Sequence, residues 1–176
     1  MSNIIIGTAG HIDHGKTALI RALNGFEGDS TNEEKQRGIT IDLSFSNLTR
    51  AERNIAFIDV PGHEKLIKNM IAGAFGFDYV MLVVSAKEGL MPQTIEHIEI
   101  LSLLGIKNLI LVITKKDLVD EQTLKEQESK IVEFLDEFEF NIKFIKAVSI
   151  YDEKSIEDLK NSLFTISNST KTPENF

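Results

Sequence analysis

Residues 10–17 combine two glycines with a lysine and a threonine at a spacing that suits phosphate binding. The string, Gly-His-Ile-Asp-His-Gly-Lys-Thr, matches the pattern G-x-x-x-x-G-K-[ST]. Gly10 and Gly15 let the backbone bend closely around an anion, and Lys16 can reach the terminal phosphates. The Thr17 hydroxyl can ligate Mg²⁺. The segment therefore predicts a site for a nucleoside triphosphate with its magnesium ion.

Two other interpretations of this string come from its residue types. His11, Asp13 and His14 belong to types that bind transition metals. The surrounding glycines and lysine favour an anion instead, because backbone amides and an ammonium group attract phosphate oxygens. A glycine-rich turn that only begins a helix is the second alternative. The position of the string between a predicted strand and a predicted helix favours phosphate binding over both.

The string Asp-Val-Pro-Gly-His at 59–63 follows an apolar run, 55–58. In parallel-sheet nucleotide proteins, ligands bind at the carboxyl ends of strands. Asp59 could therefore hold Mg²⁺ through water, and the amide of Gly62 could meet the γ-phosphate. Alone, the string is more typical of a turn that caps a helix, so this interpretation depends on the phosphate-binding loop.

Residues 114–117, Thr-Lys-Lys-Asp, end the apolar run 109–113 and offer a carboxylate that could select a base. Asp117 can accept hydrogen bonds from N1–H and the exocyclic amine of guanine, whereas adenine presents a ring acceptor there. An unpaired buried charge costs about 1 to 3 kcal/mol or more, which is enough to select guanine. Ser149 follows the last predicted strand and could line the same pocket. A polar loop that caps the next helix is the alternative.

A long polar stretch, 26–38, lies between the first predicted helix and Thr40. Loops of this length are often functional. If Thr40 binds both Mg²⁺ and the γ-phosphate, the triphosphate orders the loop and hydrolysis releases it. Otherwise Thr40 simply begins a strand.

These segments require a sheet whose strands end at one edge. Short β-branched runs alternate with longer helical patterns, which predicts parallel strands joined by helices. We expect strands at 3–7, 40–48, 54–59, 79–85, 109–114 and 143–148, and helices at 16–24, 63–74, 93–104, 121–138 and 155–163. The alternation of Ile41, Leu43 and Phe45 with polar residues places the second strand at an edge. The predicted fold class is α/β, with a mostly parallel six-stranded sheet and helices on both faces.

Composition narrows the class of protein further. The 176 residues suit one domain, and 42% apolar with 26% charged residues is typical of a globular chain. No apolar run approaches the ~18 residues of a transmembrane helix, and no signal peptide is recognisable, so we expect no membrane association. The absence of cysteine excludes a disulfide framework and fits a cytoplasmic protein. A net charge of −8 excludes long-range attraction to nucleic acid by the domain as a whole.

In this order and spacing, the segments resemble translational GTPases of the elongation factor Tu class. The strings at 7–17, 33–42 and 59–65, followed by Lys-Asn-Met at 68–70, are most similar to the selenocysteine-specific elongation factors within that class. The similarity covers residues 4–165. The gamma subunit of initiation factor 2 and elongation factor Tu itself are the alternatives. The resemblance implies a three-layer P-loop GTP-binding (G) domain that binds GTP or GDP with Mg²⁺ and hydrolyses GTP.

The resemblance also implies roles for individual residues. Those expected at the phosphates are Asp13, His14, Gly15, Lys16, Thr17 and Ala18. Those expected at Mg²⁺ are Thr17, Thr40 and Asp59. The expected catalytic residues are His63, Lys16, Thr40 and Gly62. His63 would position the attacking water, with Ile12 and Ile39 as an apolar gate in front of it.

The residues expected to contact the base are Thr114, Lys115, Asp117, Ser149 and Ile150. Asp117 would read guanine, Lys115 would lay its alkyl stem over the ring, and Ser149 would lie near the guanine carbonyl. Three positions depart from the family pattern. Ala18 stands where a second threonine is common, and Ile150 stands where alanine is usual. Thr114 replaces asparagine. This change is expected to remove an amide that ties residues 114–117, the base loop, to residues 10–17, the phosphate loop.

The partners that the resemblance implies are the ribosome, aminoacyl-tRNA bound by β-barrel domains, and an mRNA hairpin bound by further C-terminal domains. The tRNA would be selenocysteyl-tRNA. None of those domains is in this sequence, so residues 1–166 are expected to form the G domain and 167–176 a linker or tail. We expect a monomer that hydrolyses GTP slowly until the ribosome stimulates it. A nucleotide-dependent switch module with negligible hydrolysis, and an ATP-using phosphoryl transferase, which Asp117 disfavours, are the competing classes.

Overall fold

The computed structural model describes residues 2–25, 44–59 and 76–166. These hold six strands: β1 (Ser2–Gly10), β2 (Ser44–Arg50), β3 (Arg53–Asp59), β4 (Tyr79–Ser85), β5 (Asn108–Thr114) and β6 (Asn141–Ala147). The strands form one sheet in the order β2-β3-β1-β4-β5-β6. All neighbours pair in parallel except β2 and β3, which are antiparallel. The predicted mostly parallel six-stranded sheet, with the second strand at an edge, is confirmed.

Helices cover both faces of this sheet, as predicted. The described helices are α1 (Lys16–Asn24), α2 (Pro92–Leu103), α3 (Glu121–Leu135) and α4 (Glu153–Leu163). Leucines of α1 and α4 enter the hydrophobic core on one face, and apolar residues of α2 and α3 enter the core on the other. The central strand β4 is buried at every position because both cores cover it. Among the described helices, none is long and apolar enough to cross a membrane.

Several element boundaries differ from the predicted ones. β1 extends to Gly10 because its last residues pair with Asp59 of β3 and Val83 of β4. The helix predicted at 121–138 ends at Leu135, since the amides of Glu137 and Phe138 bond to carbonyls three residues back in a tighter turn. The predicted helix at 63–74 and the first part of the predicted strand 40–48 lie outside the described residues.

The parallel pairing brings the carboxyl ends of β1, β3, β4, β5 and β6 to one edge of the sheet. The residues at these ends are Gly10, Asp59, Ser85, Thr114 and Ala147. At Gly10 the chain leaves the sheet with φ at +133°, and a Cβ there would lie 2.2 Å from the Val83 carbonyl oxygen. Only glycine can occupy this position without displacing β4. The edge therefore collects the chemistry-bearing segments identified in the sequence.

Two leucines of α2 test the assignment of the core. Leu101 is fully buried against the sheet, whereas Leu103 is 87% exposed on the same helix. Leu101→Ala should lower the free energy of unfolding by about 2 to 5 kcal/mol, because it leaves a cavity in the core. Leu103→Ala should change it by no more than about 0.5 kcal/mol. Urea unfolding of both variants measures the difference, and equal losses would contradict the packing of α2.

Candidate nucleotide site

The loop after β1 has the backbone geometry of an anion site. A 3₁₀ turn, Ile12–His14, leads into Gly15, which adopts φ +84° and begins α1. A Cβ at Gly15 would meet nothing within 4 Å, so the space in front of the helix N-terminus is open. Lys16 is 7% exposed and Thr17 is exposed on the first turn of α1. The amides at the start of α1, an ammonium group and a hydroxyl thus lie beside a space that suits phosphate and Mg²⁺.

The side chain of His14 anchors this loop to the end of β4. The ring is fully buried, and Nδ1 accepts a hydrogen bond from the Ser85 N–H at 3.2 Å. An imidazole nitrogen that accepts a hydrogen bond carries no proton, so Nε2 holds the proton and donates to Glu88 Oε2 at 2.8 Å. Because the ring faces the protein interior, any contact of His14 with a nucleotide comes from its backbone.

His11, His14 and Glu88 form a cluster whose candidate ligand atoms lie within 4.8 Å of one another. Nδ1 of His11 accepts the Asp13 N–H at 3.1 Å, so this ring, like that of His14, carries its proton on Nε2 when neutral. Neither imidazole then has a free lone pair for a metal ion. The cluster is better explained as a hydrogen-bonded support of the loop, and the metal interpretation of His11, Asp13 and His14 is not favoured.

Two side chains of the base loop bind the backbone of the phosphate loop. The Thr114 hydroxyl donates to the His14 carbonyl oxygen at 2.7 Å, and Lys115 Nζ donates to the Asp13 carbonyl oxygen at 2.8 Å. The expectation that threonine at position 114 loses the tie between the loops is therefore wrong. A hydroxyl on the end of β5 reaches the same neighbour because Thr114 is buried directly beside the loop.

A cavity of about 250 Å³ lies in front of the joined loops. Its lining residues are Gly15, Ala18, Thr114, Lys115, Asp117, Leu118, Val148, Ile150 and Tyr151. Lys115 adopts a left-handed φ of 58°, which begins the 3₁₀ turn Lys116–Leu118 and carries the exposed Asp117 to the rim. The cavity thus joins the start of α1 to an apolar slot with one carboxylate, as a phosphate-linked aromatic base requires.

The sequence profile described as Elongation factor Tu GTP binding domain matches residues 1–169. This chain belongs to that family. The G domain predicted from the order and spacing of the motifs is confirmed, and domains of this family bind GTP.

Individual relatives of this G domain are translation factors. A selenocysteine-specific elongation factor from Desulfomicrobium baculatum is 46% identical over 172 residues, which are 97% of this chain and 27% of that protein. A translation initiation factor 2 gamma subunit from Thermococcus onnurineus is 39% identical over 157 residues, 76% of this chain and 38% of that protein. The crystal structure of a bacterial selenocysteine-specific elongation factor matches with a TM-score of 0.80 and 45% identity, covering 97% of this chain and 30% of the other. The chain spans less than half of each relative.

Ser149 lines a second cavity next to the first one, and its expected contact with guanine stays a prediction. It is 2% exposed and lines a neighbouring cavity of about 390 Å³, together with Lys116, Asp117 and Asp152. Its N–H donates to Ser155 Oγ at 3.1 Å, and its own Oγ accepts the Tyr151 N–H at 3.2 Å. The described lining of the smaller cavity instead includes the residues on either side of Ser149.

Two residues of the G-domain site were missed in the sequence. Tyr151 is 83% exposed at the rim of both cavities, and the only signal for it was an aromatic residue close behind Ser149. His97 lies on α2, and its Nδ1 accepts the Gly10 N–H at 3.1 Å in the buried core. Nothing in the local pattern distinguishes His97 from the apolar residues that share its face of the helix.

The remaining expected site residues are Thr40, Asp59, Gly62 and His63. Thr40, Gly62 and His63 lie outside the described residues. The backbone of Asp59 ends β3 and lies beside Thr8 of β1, two residues before the phosphate loop. This register brings the Asp59 position to the edge of the sheet where α1, with Thr17 in its first turn, begins.

The stability of the G domain should fall at acidic pH because the His14 imidazole is buried. Burial lowers the pKa of His14 below its ordinary value of 6.5, and Glu88 offsets only part of this effect. The unfolded chain therefore takes up a proton at this ring at a higher pH than the folded chain does. The stability that the neutral ring contributes should be complete above about pH 6.5 and should be lost progressively as the pH falls through the folded pKa.

Denaturant unfolding at pH 7.5 and pH 5.5 measures this effect. The wild type should lose more stability between the two values than His14→Gln, which lacks this imidazole. An equal loss in both proteins would contradict the role of His14.

Proposed function

We propose that this chain is the GTP-hydrolysing domain of a selenocysteine-specific translation elongation factor, which delivers selenocysteyl-tRNA to the ribosome. The observation that carries the proposal is a cavity bounded by the phosphate loop and an Asp117 rim in a chain of the elongation factor Tu family. The identity to a selenocysteine-specific factor over 97% of the chain supports the assignment within the family. The ribosome, the tRNA and the mRNA hairpin would bind largely to domains outside this chain. The protein would act as a cytoplasmic monomer.

The phosphate chain of the nucleotide would lie across the open space in front of α1. The amides of Gly15, Thr17 and Ala18 would donate to phosphate oxygens. The amides of Asp13 and His14, which donate to Nδ1 and to the carbonyl of His11 in this structure, would exchange those bonds for phosphate oxygens when the nucleotide binds. The Lys16 ammonium would bridge the β- and γ-phosphates, where its charge offsets the charge that develops on the transferring group. Because His14 holds the loop from behind, the amides of Gly15, Thr17 and Ala18 would keep their positions before the ligand arrives.

The residues at this edge fit Mg²⁺ by their chemistry. The exposed Thr17 hydroxyl and the carboxylate of Asp59, whose backbone ends the strand next to β1, are the oxygen ligands that Mg²⁺ prefers. Thr40 would add a second hydroxyl only in the triphosphate state. When bound, Mg²⁺ would neutralise charge on the β- and γ-phosphates.

The base would enter the cavity between Lys115 and the Ile150–Tyr151 wall. The alkyl stem of Lys115 would cover one face of the ring, since its Nζ is already held by the Asp13 carbonyl. Asp117 would accept N1–H and the exocyclic amine of guanine. Adenine would leave that carboxylate facing a ring acceptor, which costs about 1 to 3 kcal/mol or more.

For hydrolysis, GTP and water would give GDP and phosphate. His63 would hold the water in line with the γ-phosphate next to Gly62, a positioning role that needs no prior proton abstraction. Ile12 and Ile39 would keep His63 away until the ribosome rearranges the site. Unassisted turnover should then be slow, at about 10⁻⁴ to 10⁻² per second.

A second candidate is the G domain of another translation factor. The 39% identity to an initiation factor 2 gamma subunit favours this reading over classes outside translation. Binding of selenocysteyl-tRNA by the full-length protein, compared with initiator tRNA, would separate the two.

A switch module with negligible hydrolysis would share the GDP site but fail to release phosphate even with ribosomes.

Asp117 tests the guanine assignment. The wild-type domain should bind GDP at least about a hundredfold more tightly than ADP, because an unpaired carboxylate penalises adenine. Asp117→Asn should weaken GDP and improve xanthosine diphosphate, since the amide offers a donor to the xanthine carbonyl. Asp158→Asn, an exposed aspartate on α4, is the matched control. Equal GDP and ADP affinities in isothermal titration would refute the base-reading role.

His63 tests the hydrolytic role. His63→Ala in the full-length protein should leave GTP affinity within a few-fold but abolish ribosome-stimulated single-turnover hydrolysis, because only the positioning of water is lost. If His63 merely begins a helix, the variant should melt early and still hydrolyse GTP at the wild-type rate. Melting temperature and stimulated rate measured on one preparation separate these results.

A further inference from the structure

An ion pair joins the two chain segments on either side of the cavity of about 250 Å³, which is called the base cavity from here on. Lys116 Nζ lies 2.9 Å from Asp152 Oδ2. Lys116 directly precedes Asp117 in the 3₁₀ turn after β5, whereas Asp152 ends the segment 149–152 and precedes α4. Their side chains are 30% and 44% exposed, so the pair is partly shielded from water. The pair therefore spans the gap between the carboxylate that reads the base and the opposite wall.

Segment 149–152, which forms the opposite wall of the base cavity, is held by hydrogen bonds of its own to α4. The Ser155 hydroxyl, 6% exposed, contacts the Ser149 carbonyl at 3.2 Å and the Asp152 carbonyl at 2.8 Å, and it also accepts the Ser149 N–H. These bonds hold segment 149–152 to the first turn of α4. The Asp152 side chain consequently offers Lys116 a fixed anchor.

We propose that the Lys116–Asp152 pair is a latch that positions Asp117 and lengthens the residence time of guanine nucleotides. The proposal rests on the guanine site proposed above. Two hydrogen bonds to guanine require the Asp117 carboxylate in one orientation, and the neighbouring Lys116 is the residue through which that orientation is tied to the far wall. The Lys116 N–H also donates to the Val148 carbonyl at 3.2 Å, so the start of the turn stays attached when the pair is lost. The part of the turn that carries Asp117 can then move away from segment 149–152, and the base can leave more easily.

Simple charge effects predict a different pattern from the latch. GDP is an anion, so removing the Lys116 charge should weaken binding and removing the Asp152 charge should strengthen it. A latch predicts that both changes weaken binding, because either one breaks the same contact. A partly exposed ion pair should change the GDP dissociation rate by about two- to fivefold.

The experiment measures dissociation of fluorescently labelled GDP from Lys116→Gln, Asp152→Asn and the double variant. Each single change should speed dissociation about two- to fivefold, and the double variant should be no faster than either single one, because the pair is lost once. The Asp152 side chain makes no capping hydrogen bond to α4, so Asp152→Asn should leave the helix intact. Lys116→Arg retains the charge and donors and should restore the wild-type rate.

The exposed pair Lys107–Glu139, whose charged atoms lie 3.0 Å apart, provides the matched control. Lys107→Gln and Glu139→Gln should leave the dissociation rate unchanged. A positioning role also predicts a smaller preference for GDP over inosine diphosphate, which lacks the exocyclic amine, at an unchanged melting temperature. A general loss of structure would instead lower the melting temperature.

Slower dissociation from Asp152→Asn, additive single effects, or wild-type rates in all variants would overturn the latch. A wild-type domain that binds ADP as tightly as GDP would instead overturn the proposed guanine site. The two failures are therefore distinguishable in one set of titrations.

Discussion

The hydrogen bond from the Thr114 hydroxyl to the His14 carbonyl joins the two halves of the nucleotide site. One half belongs to the loop after β1 and the other to the loop after β5, and β4 lies between those strands in the sheet. The bond forms because parallel pairing ends β4 and β5 at the same level and ends β1 two residues short of it. The phosphates and the base of one nucleotide need a fixed separation, and in the proposed site this buried bond between the loops would set that separation.

Two buried histidines hold the phosphate loop from behind, and each acts as an acceptor of a backbone N–H. His97 of α2 receives the Gly10 N–H, and His14 receives the Ser85 N–H. A protonated ring could not accept these bonds, since both nitrogens would then be donors. The loop that must attract a polyanion is therefore supported by imidazoles whose hydrogen bonds require their neutral form. Its positive potential comes from Lys16 and from the amides at the start of α1.

Much of the architecture could be predicted because it depends on local patterns. Apolar runs such as 79–85 are long enough to indicate strands buried on both faces, and the glycine spacing before Lys16 requires one backbone geometry. The tertiary contacts could not be predicted. The tie made by Thr114, the Glu88 support of His14 and the placement of His97 each join residues 70 or more positions apart. Such pairs leave no periodic signal, and only the register of the strands brings them together.

The distribution of exposed apolar groups argues independently for a flat ligand at the base cavity. Within the described residues, the large apolar side chains that remain exposed are Leu103, Leu118, Ile150 and Tyr151. All except Leu103 line the base cavity. Exposed apolar surface concentrated at a concave site is typical of ligand binding, because free energy is gained when a ligand displaces water from such surface. A base that covers these side chains binds only the folded chain, so occupancy stabilises the domain by about 2.7 kcal/mol when the ligand is present at a hundred times its Kd. The apolar rim thus couples base recognition to the stability of the sheet edge that carries the phosphate loop.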